Sequence, residues 1–336
     1  MSDAELADRL AARTLELIDI PSESGDEARL AAHVGRLVGA EDLGDTCLLA
    51  RRGAPVLLAG HLDTVPAQGN LPGRRDLERV HGLGASDMQG ALAVMVELAL
   101  AGAAFDCLFF GREELPGSYS ALAPLLERER LDYELVVMME PTANELHAGC
   151  LGNVNATWTF HGRSGHSARP WDADNAIHRA AGAIAAFAGV APEAQVCDGL
   201  TFTEVASVTR IAGGIAMNVI PDRVECHVNY RFAPGRTPDA AAARLRSICP
   251  GDLRIDSLAP SAPVALGNPR TQALVAAGGL RVAPKQAWTP VAEFAQAGLD
   301  AVNFGPGVPA EAHTRGESIP VAALVRAYRV LEAWAA

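Results

Sequence analysis

Acidic and imidazole side chains in this chain gather where apolar runs stop. His61 and Asp63 follow the wholly apolar run at residues 56–60, and Glu113 and Glu114 stand side by side after a second run at residues 107–111. Glu140 ends a third, at residues 135–139. Asp87 lies in a glycine-flanked turn, Gly84-Ala85-Ser86-Asp87-Met88-Gln89-Gly90, and His313 closes a Gly/Pro-rich loop that begins at Gly305. Each has a plain structural alternative: a hydrogen-bonded His–Asp pair, a helix cap, a solvated acidic loop. Together they form a mixed imidazole and carboxylate set of the kind that suits zinc, and one shared carboxylate can bridge two ions roughly 3.5–4 Å apart. Two adjacent carboxylates are costly near an apolar interior without a cation. Because sequence neighbours point in different directions, one of Glu113 and Glu114 can bind metal while the other handles a proton.

Positioning such a set requires strands whose C-terminal ends meet at one sheet edge, where open α/β sheets gather ligands. The runs at residues 56–60, 107–110 and 135–139 read as buried strands of a parallel sheet. Leu6, Leu10, Leu17 and Ile18 predict an amphipathic first helix ending before Pro21. Ser24-Gly25-Asp26-Glu27 reads as a capping box opening a second helix through Val38. Residues 90–101 predict a buried helix, and a further helical stretch is expected after Pro116. This alternation gives an α/β domain with a mostly parallel sheet.

After Gly152 the pattern changes. Val154, Ala156, Trp158 and Phe160 alternate with polar residues, as in a strand buried on one face. A helix at residues 175–189, half-buried strands at 205–211 and 224–232, and a helix at 238–248 complete a small α+β unit. From Ala265 helix and strand alternate again, through residues 302–304 to a last helix. The expected organisation is one α/β domain from residues 1–152 and 264–336, interrupted by an inserted α+β domain at 153–263. No internal repeat or low-complexity tract is evident.

With 49% apolar and 20% charged residues, the composition is that of an ordinary soluble globular protein. A formal net charge of −12 argues against nucleic acid or an anionic membrane as partner. Six scattered cysteines without a CxxC pair suit a reducing compartment. The acidic residues Asp3, Glu5 and Asp8 among the first leucines are not a signal peptide, and no uncharged apolar run has the length of a membrane span. The expectation is a cytoplasmic protein.

The order of these motifs resembles the M20 family of metallopeptidases and deacylases, and more closely its actinobacterial succinyl-diaminopimelate desuccinylase branch. The resemblance runs over nearly the whole chain. It is carried by AGHLDTVP (59–66), GLGASDMQG (82–90), Glu113-Glu114, MEPT (139–142), GRSGHSARPW (162–171) with NAIH (175–178), GGIAMNVIPD (213–222), VNYRFAP (228–234), and AVNFGPG (301–307) with AHT (312–314). It implies a zinc-exopeptidase-like catalytic domain with an inserted lid or dimerisation domain. It also implies two Zn2+ per subunit, replaceable by Co2+. Asp87 would bridge them, with His61 and Glu140 completing one site and Glu114 and His313 the other. Asp63 is implied as the partner of His61, and Glu113 as the general base toward the attacking water. His166 is implied as an oxyanion donor that reaches in from the partner subunit of a homodimer.

The same resemblance assigns substrate carboxylates to Asn218 and Arg231, with Thr289 a further candidate. For Arg231 a structural ion pair is the alternative. Lys285 is the sole lysine among 28 basic residues, which suggests a contact with a substrate carboxylate or a pocket acid. Three positions depart from the branch: Gln89 where lysine is usual, Pro290 where aspartate is usual, and Glu293 where arginine is common. The expected reaction is hydrolysis of N-succinyl-L,L-2,6-diaminopimelate to succinate and L,L-diaminopimelate in lysine biosynthesis. Alternatives are an N-acetylornithine deacetylase, an aminoacylase or a dipeptidase on small N-acylated substrates, or a non-catalytic metal-binding scaffold.

Overall fold

The computed structural model describes residues 1–115 and 117–335; Pro116 lies outside them. The chain forms two compact units. The first comprises Met1–Gly149, Val264–Lys285 and Thr289–Ala336, and the second Cys150–Pro263 with Gln286–Trp288. Residues 286–288, expected with the first unit, join the second because the Leu151 N–H donates to the Ala287 carbonyl (3.1 Å) and the Thr203 N–H to Gln286 Oε1 (3.3 Å).

The first unit is built on an eight-stranded sheet. Its middle strands Asp106–Phe110, Val56–His61, Leu135–Met138 and Ala301–Asn303 run parallel to one another. All are buried, and their sequences are apolar apart from the terminal residues Asp106, His61 and Asn303. Leu48–Ala50 adds antiparallel to Asp106–Phe110, a short strand that the alternation of longer runs does not announce. Helix Gly90–Leu100 is buried along nearly its full length and packs against Asp3–Ile18 and the C-terminal Val321–Ala335. Its buried Glu97 is held by Arg9 and Arg13 of the first helix.

The capping-box expectation at Ser24 is not met. The second helix, Ala28–Val38, has no side-chain cap, because the Ser24 hydroxyl donates instead to Asp63 Oδ2 at 2.6 Å. A capping box does form at Ser2 and Glu5, on the first helix.

The second unit is a five-stranded antiparallel sheet in the order Glu193–Cys197, Leu200–Gly213, Arg223–Phe232, Gly152–His161, Asp252–Ala259. Helices Ala176–Phe187 and Pro238–Ile248 cover one face. The core there is Val154, Ala156, Trp158, Val224, Cys226, Val228, Tyr230 and Phe232 with residues of both helices. The strict alternation of these positions along two paired strands is the period-two signal seen in the sequence. Among the described residues no cysteine is in a disulfide. No described helix is long and apolar enough to cross a membrane.

Candidate metal centre and active site

Register brings the chemistry to one sheet edge. His61 pairs with Phe110 and Ala59 with Met138, so His61, the Gly111–Glu114 turn and Glu140 leave adjacent parallel strands at the same level. Asn303 pairs with Met138, which starts the loop to His313 from that edge too. Gly305 and Gly307 let this loop close down. A Cβ on Gly305 would lie 2.4 Å from the Met139 carbonyl oxygen, and one on Gly307 would lie 2.1 Å from that of Ser86.

Asp87 is the hub. Its Oδ1 lies 3.1 Å from His61 Nε2, and its Oδ2 lies 3.5 Å from His313 Nε2. His313 Nε2 is also 2.8 Å from Glu114 Oε1, and Glu140 Oε1 is 4.0 Å from His61 Nε2. The five residues singled out in the sequence therefore converge. Ligand atoms of Asp87, Glu114 and His313 lie within 4.8 Å of one another, as do those of His61, Glu113 and Glu114. The second of these groups differs from the expected trio, with Glu113 and Glu114 rather than Asp87 and Glu140 beside His61.

Asp63 does more than face His61. It is fully buried. Its two oxygens accept the Glu113 N–H (3.0 Å) and the Glu114 N–H (3.1 Å), besides the Ser24 hydroxyl. His61 Nδ1 lies 3.0 Å from the Asp63 carbonyl oxygen and 3.6 Å from its carboxylate. The Asp63 carbonyl thus orients His61, while its carboxylate holds the backbone of the adjacent acids.

The sequence reading missed Glu317. Its carboxylate is buried and accepts three backbone N–H groups, from Gly84 (3.0 Å), Ser86 (2.9 Å) and Asp87 (2.9 Å). It fixes the turn that carries Asp87. Gln89, buried in the same turn, donates to the Leu62 carbonyl (3.1 Å) and Ser22 (3.3 Å), so this departure ties two loops of the site together.

The electrostatics ask for a cation. Burial, then the charge of Glu140, pushes the Glu113 carboxyl well above its usual range. Burial and Asp87 raise Glu140 to about 7. Burial opposes ionisation of Asp87 as well, but His313 and His61 hold its pKa low. Hydrogen bonds to Asp87 and Glu114 raise His313 to about 10. Glu140 Oε1 is buried with no protein partner, an acceptor aimed where its neighbours are also acceptors. An oxygen-rich set with two imidazoles and an orphaned carboxylate oxygen fits a divalent metal such as zinc.

The remaining candidates lie elsewhere. His166, Asn218 and Arg231 belong to the second unit. There the two-stranded ladder pairs His166 with Val219, and the Ser167 N–H donates to the Asn218 carbonyl, which brings His166 and Asn218 side by side and exposed. Arg231 is half-buried, and its Nε donates to Asn229 Oδ1 at 3.0 Å. No carboxylate pairs with it among the described residues, so the ion-pair alternative falls. Thr289 and Lys285 are buried in the first unit.

Residues 57–336 match the model of peptidase family M20/M25/M40. The chain belongs to this family. M20 membership makes it a metal-dependent hydrolase of amide bonds. The chain is 40% identical over 338 residues to the putative succinyl-diaminopimelate desuccinylase DapE of Mycobacterium tuberculosis (strain H37Rv), with 95% of each chain covered. It is 34% identical to the succinyl-diaminopimelate desuccinylase of Corynebacterium glutamicum, covering 92% of this chain and 91% of that one. Among solved structures, aminopeptidase PepT from Bacillus cereus superposes with a TM-score of 0.77 at 20% identity, covering 98% and 97% of the two chains. That likeness places the chain in the M20 fold.

Proposed function

We propose that this M20 hydrolase is a two-zinc desuccinylase that converts N-succinyl-L,L-2,6-diaminopimelate and water to succinate and L,L-diaminopimelate. The observation that carries the chemistry is the convergence of His61 and His313 on opposite oxygens of Asp87, 3.1 and 3.5 Å away. The substrate is argued from the two relatives of that name.

In this reading Asp87 would be shared by two zinc ions, with His61 and Glu140 completing one site and Glu114 and His313 the other. The bound metal supplies Lewis acidity toward the amide carbonyl and lowers the pKa of water. Glu113 accepts a proton from the attacking water at a carboxylate oxygen and delivers it to the nitrogen of the departing amine. Its surroundings support that role, because desolvation and the neighbouring acids raise the proton affinity of a carboxyl that must take a proton from water and pass it on. Asp63 keeps Glu113 in place through its backbone N–H. The Arg231 guanidinium, half-buried and with no carboxylate partner among the described residues, suits a succinyl or diaminopimelate carboxylate, and Asn218 and Thr289 are assigned the same task.

The proposal extends to a homodimer through the second unit, in which His166 donates to the developing oxyanion in the partner's site. Exposed Ile211, Ile215 and Met217 offer apolar area for such pairing. It also puts the reaction in the cytoplasm, where cysteines without disulfides stay reduced.

The test is kcat/KM of the zinc-loaded protein on N-succinyl-L,L-diaminopimelate and on N-acetylornithine. At least a tenfold preference for the first is expected, about 1.4 kcal/mol of transition-state binding. Preference for the second, or hydrolysis of neither, would overturn the assignment.

A further inference from the structure

Lys285 follows the strand Val282–Pro284, which runs parallel to Leu146–Ala148. Its side chain is buried, with 8% of its surface exposed. The ammonium donates to the Pro141 carbonyl oxygen at 3.2 Å and stands 3.9 Å from Glu140 Oε2. The other oxygen of the same carboxylate, Oε1, faces His61 Nε2 at 4.0 Å and has no protein hydrogen-bond partner. Glu140 is therefore divided: one oxygen toward the lysine, the other toward the histidine cluster. The hydrogen-bond acceptor of the ammonium, Pro141, and its ion-pair partner, Glu140, are consecutive residues following one strand, so the lysine holds the turn as well as facing the side chain.

A buried ammonium is costly unless paired, and here its partners are the chain's own groups. Elsewhere the chain meets every need for positive charge with arginine. The two cations are not equivalent at this place. A guanidinium is a planar fork that takes both oxygens of a carboxylate, whereas an ammonium is a compact point charge that can engage one and leave the other free.

We propose that Lys285 is a positioning residue that holds Glu140 Oε2, so that Glu140 presents Oε1 alone to the metal. The inference rests on the two-metal reading above and departs from a substrate-carboxylate role for this lysine. Without the ammonium, Glu140 is free to turn or to offer both oxygens, and the coordination at that ion changes. With an arginine, the fork draws both oxygens away.

Cobalt(II) titration of metal-free protein tests this, because the visible d–d bands of Co2+ report coordination number and geometry. Wild type, Lys285→Met and Lys285→Arg are compared for Co2+ stoichiometry, Kd and band shape, alongside kcat and KM on an N-acyl amino acid. The wild type is expected to bind two ions. Both variants are expected to show altered bands and a Kd raised about tenfold at one of the two sites, with kcat lowered and KM unchanged. Thermal melts of the metal-free proteins identify a variant that fails to fold, in which case the folded one decides. Wild-type bands and Kd in a folded variant overturn the inference, whether KM rises, which would make Lys285 a substrate contact, or stays the same. A wild type that binds fewer than two ions overturns the two-metal reading instead, and the inference with it.

Discussion

Glu113 and Glu114 are neighbours in sequence with separate surroundings. Glu114 Oε1 meets His313 at 2.8 Å, while Glu113 is half-buried and surrounded by acids, which keeps its proton affinity high. That division is the one expected of a ligand beside a proton carrier. Glu113→Gln preserves size and the backbone hydrogen bond to Asp63 but cannot carry a proton. Turnover is expected to fall about 10²–10⁴-fold with zinc content unchanged, as read by steady-state kinetics and metal analysis of the same preparation. Activity within threefold of wild type would remove Glu113 as the base. At this scale the sequence was most informative. His61, Asp87, Glu114, Glu140 and His313 were all visible as polar residues ending apolar runs or closing glycine-rich turns, and register brings them to one edge. That one carboxylate, Asp87, faces both histidines was not visible in spacing, since it reaches them only through the fold.

The turns between strands and helices show where local reading stops. Ser24-Gly25-Asp26-Glu27 has the pattern of a helix cap, yet Ser24 bonds to Asp63, 39 residues away. A buried carboxylate in need of donors outcompetes a helix end that water can satisfy. Glu317 had no local signal at all, because its three partners lie 230 to 233 residues earlier. It follows His313 by four residues, so one short segment supplies a candidate ligand and the clamp on the Asp87 turn. Glu317→Gln would turn an amide NH2 toward backbone N–H groups and lose at least one of the three bonds. Zinc Kd is expected to rise about tenfold or more by equilibrium dialysis, with the melting temperature of the metal-free protein also lowered. Unchanged zinc affinity would show that the Asp87 turn holds its shape without the clamp.

At the scale of the whole molecule, the candidate metal residues all come from the first unit, and Arg231, Asn218 and His166 from the second. The two can therefore be perturbed separately. In the second unit buried Glu204 accepts hydrogen bonds from the Tyr230 hydroxyl (2.6 Å), the Ala233 N–H (2.9 Å) and Arg236 (2.9 and 3.0 Å). Burial pushes its carboxyl up, but Arg236, Tyr230 and the Ala233 N–H pull it further down, leaving it below its ordinary value. A carboxylate with a lowered folded pKa stabilises fully above its unfolded pKa, and that contribution disappears as pH falls through the folded value. Glu204→Gln is expected to cost about 3 kcal/mol at neutral pH by denaturant unfolding, and less in acid, while zinc stoichiometry stays at the wild-type level. A loss independent of pH, or a loss of zinc, would contradict this separation.

The most direct test of the account is zinc content per chain in wild type, His313→Ala and Asp87→Ala, measured by elemental analysis after loading and dialysis. A shared Asp87 requires about two ions in the wild type, about one in His313→Ala and essentially none in Asp87→Ala. An Asp87→Ala protein that keeps one ion as tightly as His313→Ala does, or a wild type that holds a single ion, would contradict it.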